Sequence, residues 1–183
     1  MRKVVFAINI TLDGCCGHES VVANDELHEY FTDLLRDSDI EIFGRNTYHL
    51  MYPYWHDVAI NQSESKATNE FARTFDLIPK IVFSTTLQSV EWKNTTLLRS
   101  NLQEEVLRLK QQPGKSISVG GLNIASQLAQ SGLIDEYHFL IQPIVAGKGP
   151  RLFESGKDFT LELVGSKTFQ SGVVALHYKT IHK

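Results

Sequence analysis

Gly120 and Gly121 stand between two apolar segments of different period, and that junction constrains the fold more than any other stretch. Before it, residues 116–119 (Ser-Ile-Ser-Val) follow a Pro113-Gly114 turn and read as a short buried strand. After it, Leu122, Ala125, Leu128 and Ala129 recur at helical spacing, and Ser131-Gly132 supplies a stop. Strand, glycines, helix is either a tight connection or a seat for phosphate. Glycines let the backbone come close to a ligand, and the N–H groups of the first helical turn point at an anion. The spaced glycines of a Rossmann fingerprint are absent.

The rest of the chain repeats the strand-to-helix alternation. Residues 3–12 are mostly apolar and read as a central strand buried on both faces, ended by an Asp13-Gly14 turn. Residues 15–22 have no periodicity and read as a loop. Asn24 is placed to cap a helix with the apolar stripe Leu27, Tyr30, Phe31, Leu34 and Leu35, on which Glu26, His28 and Glu29 read as surface charge. A second strand, 40–43, runs into Gly44-Arg45-Asn46-Thr47-Tyr48. Here again a strand meets a glycine and a helix start, with the Thr47 hydroxyl and the Arg45 charge available to phosphate oxygens. The aromatic segment 51–56 contains Pro53 and is expected not to form a regular helix through it. Further along, 68–75 and 102–109 read as helices, and 79–85 and 95–98 as strands. Residues 134–145 read as a long strand in which Pro143 suggests an edge or a bulge. Segments 161–169 and 173–181 read as a closing antiparallel hairpin. The expected class is α/β: a mostly parallel central sheet with helices on both faces and a C-terminal antiparallel hairpin.

A length of 183 residues suits one domain, burying roughly 70% of its unfolded surface. A formal net charge of −3 gives no case for nucleic acid or an anionic membrane as partner. No apolar run reaches the ~18 residues of a membrane span, and the first residues lack the features of a signal peptide, so a cytoplasmic location is expected. Cys15 and Cys16 are adjacent, a disulfide between them would be strained, and two free thiols are expected. They offer no zinc-ligand spacing, and no metal is expected.

Residues 120–137, followed by 143–153 (Pro-Ile-Val-Ala-Gly-Lys-Gly-Pro-Arg-Leu-Phe), resemble the dihydrofolate reductase-like family. Within it they are most similar to the branch typified by the reductase domain of the bacterial riboflavin-biosynthesis deaminase–reductase. The resemblance implies a dihydrofolate reductase-like fold and NADPH as cofactor. It implies that Gly120 and Gly121, with Leu122 and Asn123, receive the pyrophosphate. Gly44, Arg45 and Thr47 become the second cofactor turn, and Ser84 or Thr85 approaches the adenosine 2′-phosphate. In Leu12-Asp13-Gly14, Asp13 is either a turn residue bonding its own backbone or the catalytic candidate where the family's mobile loop begins. Asn9 and Trp55 are the substrate-binding candidates. The helix carboxylate of true dihydrofolate reductases has no clean match here, which counts against folate. The implied function is an NADPH-dependent reductase of a small nitrogen heterocycle, pterin- or ribosylaminopyrimidinone-like. Alternatives are the 5-amino-6-(5-phosphoribosylamino)uracil reductase-type step of riboflavin synthesis and a non-catalytic nucleotide-binding protein on the same fold. The branch also implies a homodimer, paired through late strands around Phe139 and Tyr178.

Overall fold

β1 (Val4–Thr11) is apolar on both sides and lies inside the sheet, between two parallel neighbours. It pairs with β5 (Ser116–Val119), Val4 opposite Ile117, and with β6 (Glu136–Gln142), Phe6 opposite Tyr137. The computed structural model describes residues 1–21, 23–153 and 158–181. Its eight strands form one sheet in the order β4-β3-β2-β5-β1-β6-β8-β7. β2 (Ser38–Gly44), β3 (Lys80–Phe83) and β4 (Thr95–Leu98) extend the parallel part. β7 (Leu161–Thr168) and β8 (Val174–Thr180) form the antiparallel hairpin, with β8 against β6.

Alternation along β2 sends helices to both faces. Ile42 packs with Val106, Ile124 and Leu128, which places α4 (Leu102–Lys110) and α5 (Leu122–Gln130) on one side. Phe43 packs with Leu35, Tyr48, Phe71 and Trp92, which places α1 (Asp25–Arg36), α2 (Arg45–Asn61) and α3 (Lys66–Leu77) on the other. A third cluster of Leu27, Leu140, Phe169, Val173 and Ala175 ties the start of α1 to the hairpin. Among the described residues no helix is long and apolar enough to cross a membrane.

Two local expectations are corrected. α2 runs unbroken through Pro53. Proline removes one helical N–H and crowds the carbonyl four residues back, here that of His49. Both residues are exposed, so that carbonyl is open to water. The helix is held by ring packing instead: Tyr48 stacks on Tyr52 at 5.5 Å, Tyr52 on His56 at 5.2 Å, and Trp55 meets Phe71 at 4.6 Å. Pro143 marks neither an edge nor a bulge. It follows the last residue of β6, an interior strand, where a missing N–H ends the pairing. In the segment 15–22, read as loop, His18–Ser20 forms one 3-10 turn, and Val22 lies outside the described residues.

Candidate functional site

Three of the α-helices begin under a side-chain cap. Asn24 Oδ1 accepts from Leu27 N–H, Ser65 Oγ from Thr68 N–H, and Asn101 Oδ1 from Glu104 N–H. α2 and α5 have no such cap, because the capping positions are Gly44 and Gly121. Their first-turn N–H groups stand at the carboxyl ends of adjacent strands, β2 and β5. The two helices leave to opposite faces of the sheet, and a crevice opens between such connections. The cleft there has a volume of about 1430 Å³.

The cleft gathers residues far apart in sequence. Asn9, Gly44, Arg45, Thr47, Trp55, Ser84, Thr85, Gly120, Gly121, Leu122 and Asn123 all line it. The two glycine turns touch: a Cβ built on Gly121 would fall 2.1 Å from Thr47 Oγ1. Arg45 donates to Thr86 Oγ1 at 2.6 Å, linking the start of α2 to the loop after β3. Ser84 Oγ accepts from the N–H groups of Thr86 at 3.2 Å and Leu87 at 3.1 Å, a local turn that shapes the same loop. Asn9 Oδ1 accepts from Gln142 Nε2 at 2.8 Å, which fixes its amide. Trp55 packs edge-on against Phe71 and His28.

Asp13 is not among the described residues lining the cleft. Its Oδ1 accepts from Thr11 Oγ1 at 2.6 Å and Ala146 N–H at 3.1 Å, and its Oδ2 from Gly147 N–H at 2.7 Å. These bonds, that of Thr11 foremost, hold its carboxyl down to about 2. Asp13 thus ties the turn after β1 to the 146–147 loop, with partners beyond its own turn.

Several cleft residues escaped the sequence reading. His28 is half-buried rather than surface charge; burial pushes its imidazole below the ordinary value, and its Nδ1 lies 2.9 Å from Thr68 Oγ1. Thr86, one position past the named pair, is the partner of Arg45. Arg99 follows β4 as Arg45 follows β2, and that shared position after a strand was a readable signal. Glu41, an acid inside an apolar strand, lines the cleft from below. Cys16 also lines it, and both cysteines are free thiols.

Away from the cleft, ligand-type atoms of Glu136, His138 and His177 lie within 4.8 Å of one another. The two imidazoles stack, centroids 4.1 Å apart and planes 13° apart, so their in-plane lone pairs run side by side and do not converge on one ion. His138 Nδ1 pairs with the Tyr30 hydroxyl at 2.7 Å, and His177 Nε2 with Glu136 at 3.1 Å.

The family model for the RibD C-terminal domain matches residues 2–175. The chain belongs to the RibD C-terminal domain family. Two relatives come from Bacillus subtilis (strain 168), each described as an uncharacterized protein. YyaP is 29% identical over 184 residues, covering 97% of this chain and 94% of the relative. YwjB is 27% identical over 192 residues, covering 97% of each. Among solved structures, a putative riboflavin biosynthesis protein from Shewanella sp. PV-4 superposes with TM-score 0.74 at 19% identity, over all of both chains. A pyrimidine reductase-like protein from Corynebacterium diphtheriae gives TM-score 0.66 at 16% identity, over 100% of this chain and 93% of that one. The fold is thus the dihydrofolate reductase-like arrangement expected from residues 120–137 and 143–153.

Proposed function

We propose that this chain is an NADPH-dependent reductase of a small nitrogen heterocycle, pterin-like or ribosylaminopyrimidinone-like. The observation that carries the reading is the pair of uncapped helix N-termini on adjacent strands, facing one cleft with Arg45 beside them. Glycine caps leave N–H groups for an anion, where Asn and Ser caps elsewhere in the fold use them up. Gly120, Gly121, Leu122 and Asn123 would hold a pyrophosphate. Gly44, Arg45 and Thr47, with Ser84, Thr85 and Thr86, would hold the phosphate that distinguishes NADPH. The apolar side of the cleft, walled by Leu27, Phe31, Met51 and Trp55, suits a flat ring. The family, and relatives described as a riboflavin biosynthesis protein and a pyrimidine reductase-like protein, support that ring being a pyrimidine or a close analogue.

The bound nicotinamide supplies a hydride, and the protein contributes position and electrostatics. Asn9, its amide oriented by Gln142, offers N–H donors at the cleft wall. Trp55, braced by Phe71, gives the ring a fixed surface.

Fluorescence titration is expected to show NADPH binding more tightly than NADH. Arg45→Ala is expected to weaken NADPH by about 1.5–3 kcal/mol, the scale of a charge-assisted hydrogen bond. Equal wild-type affinity for the two cofactors would overturn the NADPH assignment. NADPH oxidation with a panel of pterins, pyrimidinones and quinonoid compounds identifies the substrate class. Tight binding without oxidation by any of them would favour a non-catalytic nucleotide-binding protein.

A further inference from the structure

Glu41 sits mid-strand between Ile40 and Ile42, only 5% exposed, yet it lines the cleft. Among the described residues its Oε2 has no hydrogen-bond partner. Oε1 reaches under the glycine turn, and a Cβ built on Gly120 would fall 2.8 Å from it. The space left by the missing Gly120 side chain is thus occupied by a carboxyl group.

The groups facing Glu41 do not neutralise it. From β3, Lys80 lies directly opposite in the register, but its ammonium donates to the carbonyls of Asp76 at 3.0 Å and Ile78 at 2.8 Å. That ammonium also stands 4.3 Å over the Trp92 ring. Behind it, the Asp76 carboxylate of α3 is engaged by His56 and Trp92. From β5 the neighbour is Ser118, and Leu34 and Leu35 of α1 line the same cleft. Burial pushes the Glu41 carboxyl up to about 7, outweighing Ser118 and Lys80, which both favour the charged form. Buried Lys110, by contrast, meets a carboxylate, that of Asp135.

We propose that Glu41 makes anion binding at the Gly120-Gly121 turn proton-coupled: its carboxylate takes up one proton from solvent as a phosphate-bearing ligand settles on the turn, and repels that ligand while ionised. The proposal rests on the turn being a phosphate seat. Two negative charges would meet there, one of them on a buried carboxylate, and the one able to shed its charge does so. No redox step is involved; the proton moves from water to a carboxylate oxygen. Ligand affinity then falls as pH rises through the carboxyl's titration range.

The test is calorimetric titration of NADPH into the full chain, in buffers of different ionisation heat, from about pH 6 to about pH 8.5. Glu41→Gln, close in shape and permanently neutral, is the reference. The difference between the two proteins also cancels the titration of the ligand's own phosphate, which lies near pH 6. Wild type is expected to take up about half a proton on binding between about pH 7 and about pH 8 and to lose roughly tenfold in affinity across the range, about one unit of pKa linkage. The Gln variant is expected to bind at pH 8.5 as tightly as wild type does at pH 6.5, without the extra uptake. The same pH slope in both proteins would overturn the proposal. Inorganic pyrophosphate is titrated in parallel. Glu41-dependent proton uptake with pyrophosphate alone supports the coupling while removing NADPH as ligand; no anion binding at any pH overturns both readings. Infrared difference spectra of wild type keep the test open if the variant fails to fold. Ligand addition near pH 8 is expected to raise the protonated-carboxyl band, and an unchanged band would overturn the coupling.

Discussion

Gly121 shows how a single position serves two turns. Its φ of +82° with ψ of 143° lies in a region essentially reserved for glycine, and Thr47 Oγ1 fills the space where a Cβ would go. Gly121→Ala is therefore expected to lose about 2–4 kcal/mol in urea unfolding, from backbone strain plus the contact. Thr47→Ala removes the contact and leaves the strain. The double variant is expected to recover roughly 0.5–2 kcal/mol of the loss, a coupling typical of touching residues. No recovery would show that the Thr47 hydroxyl is not what closes this space. A Gly121 substitution consequently disturbs the Arg45 turn as well, so loss of ligand binding by that variant does not isolate the pyrophosphate seat.

At the scale of elements, the β6–β8 pairing carries a buried titratable face. His138 lies opposite His177 and is 6% exposed; burial first, then His177, pushes it down to about 4. In the unfolded chain the imidazole titrates near 6.5, so as pH falls the unfolded state binds the proton first. Stability from this group is complete above about 6.5, drains away between 6.5 and about 4, and changes no further below. The loss is expected to be about 1–3 kcal/mol, read from urea midpoints near pH 7.5 and pH 5. Glu41 acts with the opposite sign between about 7 and 4.5, so the difference between wild type and His138→Gln is the quantity that tests the claim. The element scale also shows what a sequence reader can see. Strands such as 40–43 and 116–119 are runs of β-branched and aromatic residues stopped by glycine, and their place in the sheet followed from the helices between them. The start of α2 was legible but its run past Pro53 was not, because one proline is a strong local signal, whereas the stacking of Tyr48, Tyr52 and His56 exists only once the helix has formed. The glycine turns of the cleft were legible for the same reason as the strands. Glu41 and His28 were not, since their burial depends on neighbours from other strands and helices.

For the whole molecule, the sheet ends in two edges, β4 and β7. Exposed apolar side chains lie on the β7 half of the sheet: Leu163 and Val164 on β7, and Phe153 and Phe159 against Tyr137 and Phe139 of β6, each at least 40% exposed. We propose that a second copy of the chain covers this side, in keeping with the pairing through late strands that the sequence resemblance implies. Light scattering at micromolar concentration is expected to give a dimer mass, and Leu163→Lys to shift it toward the monomer; a monomeric wild type would remove the proposal. The opposite problem arises in time rather than in space. β1 is the innermost parallel strand, yet its partners are Ile117 and Glu136 onward, so it leaves the ribosome long before anything exists to pair with it. At about 5–20 residues per second, Val4 to Phe6, fully or nearly buried at the end, wait on the order of 5–20 s as a bare apolar strand. Half of the final sheet has to be synthesised before its centre can be built, and in that interval an apolar strand stands without its partners.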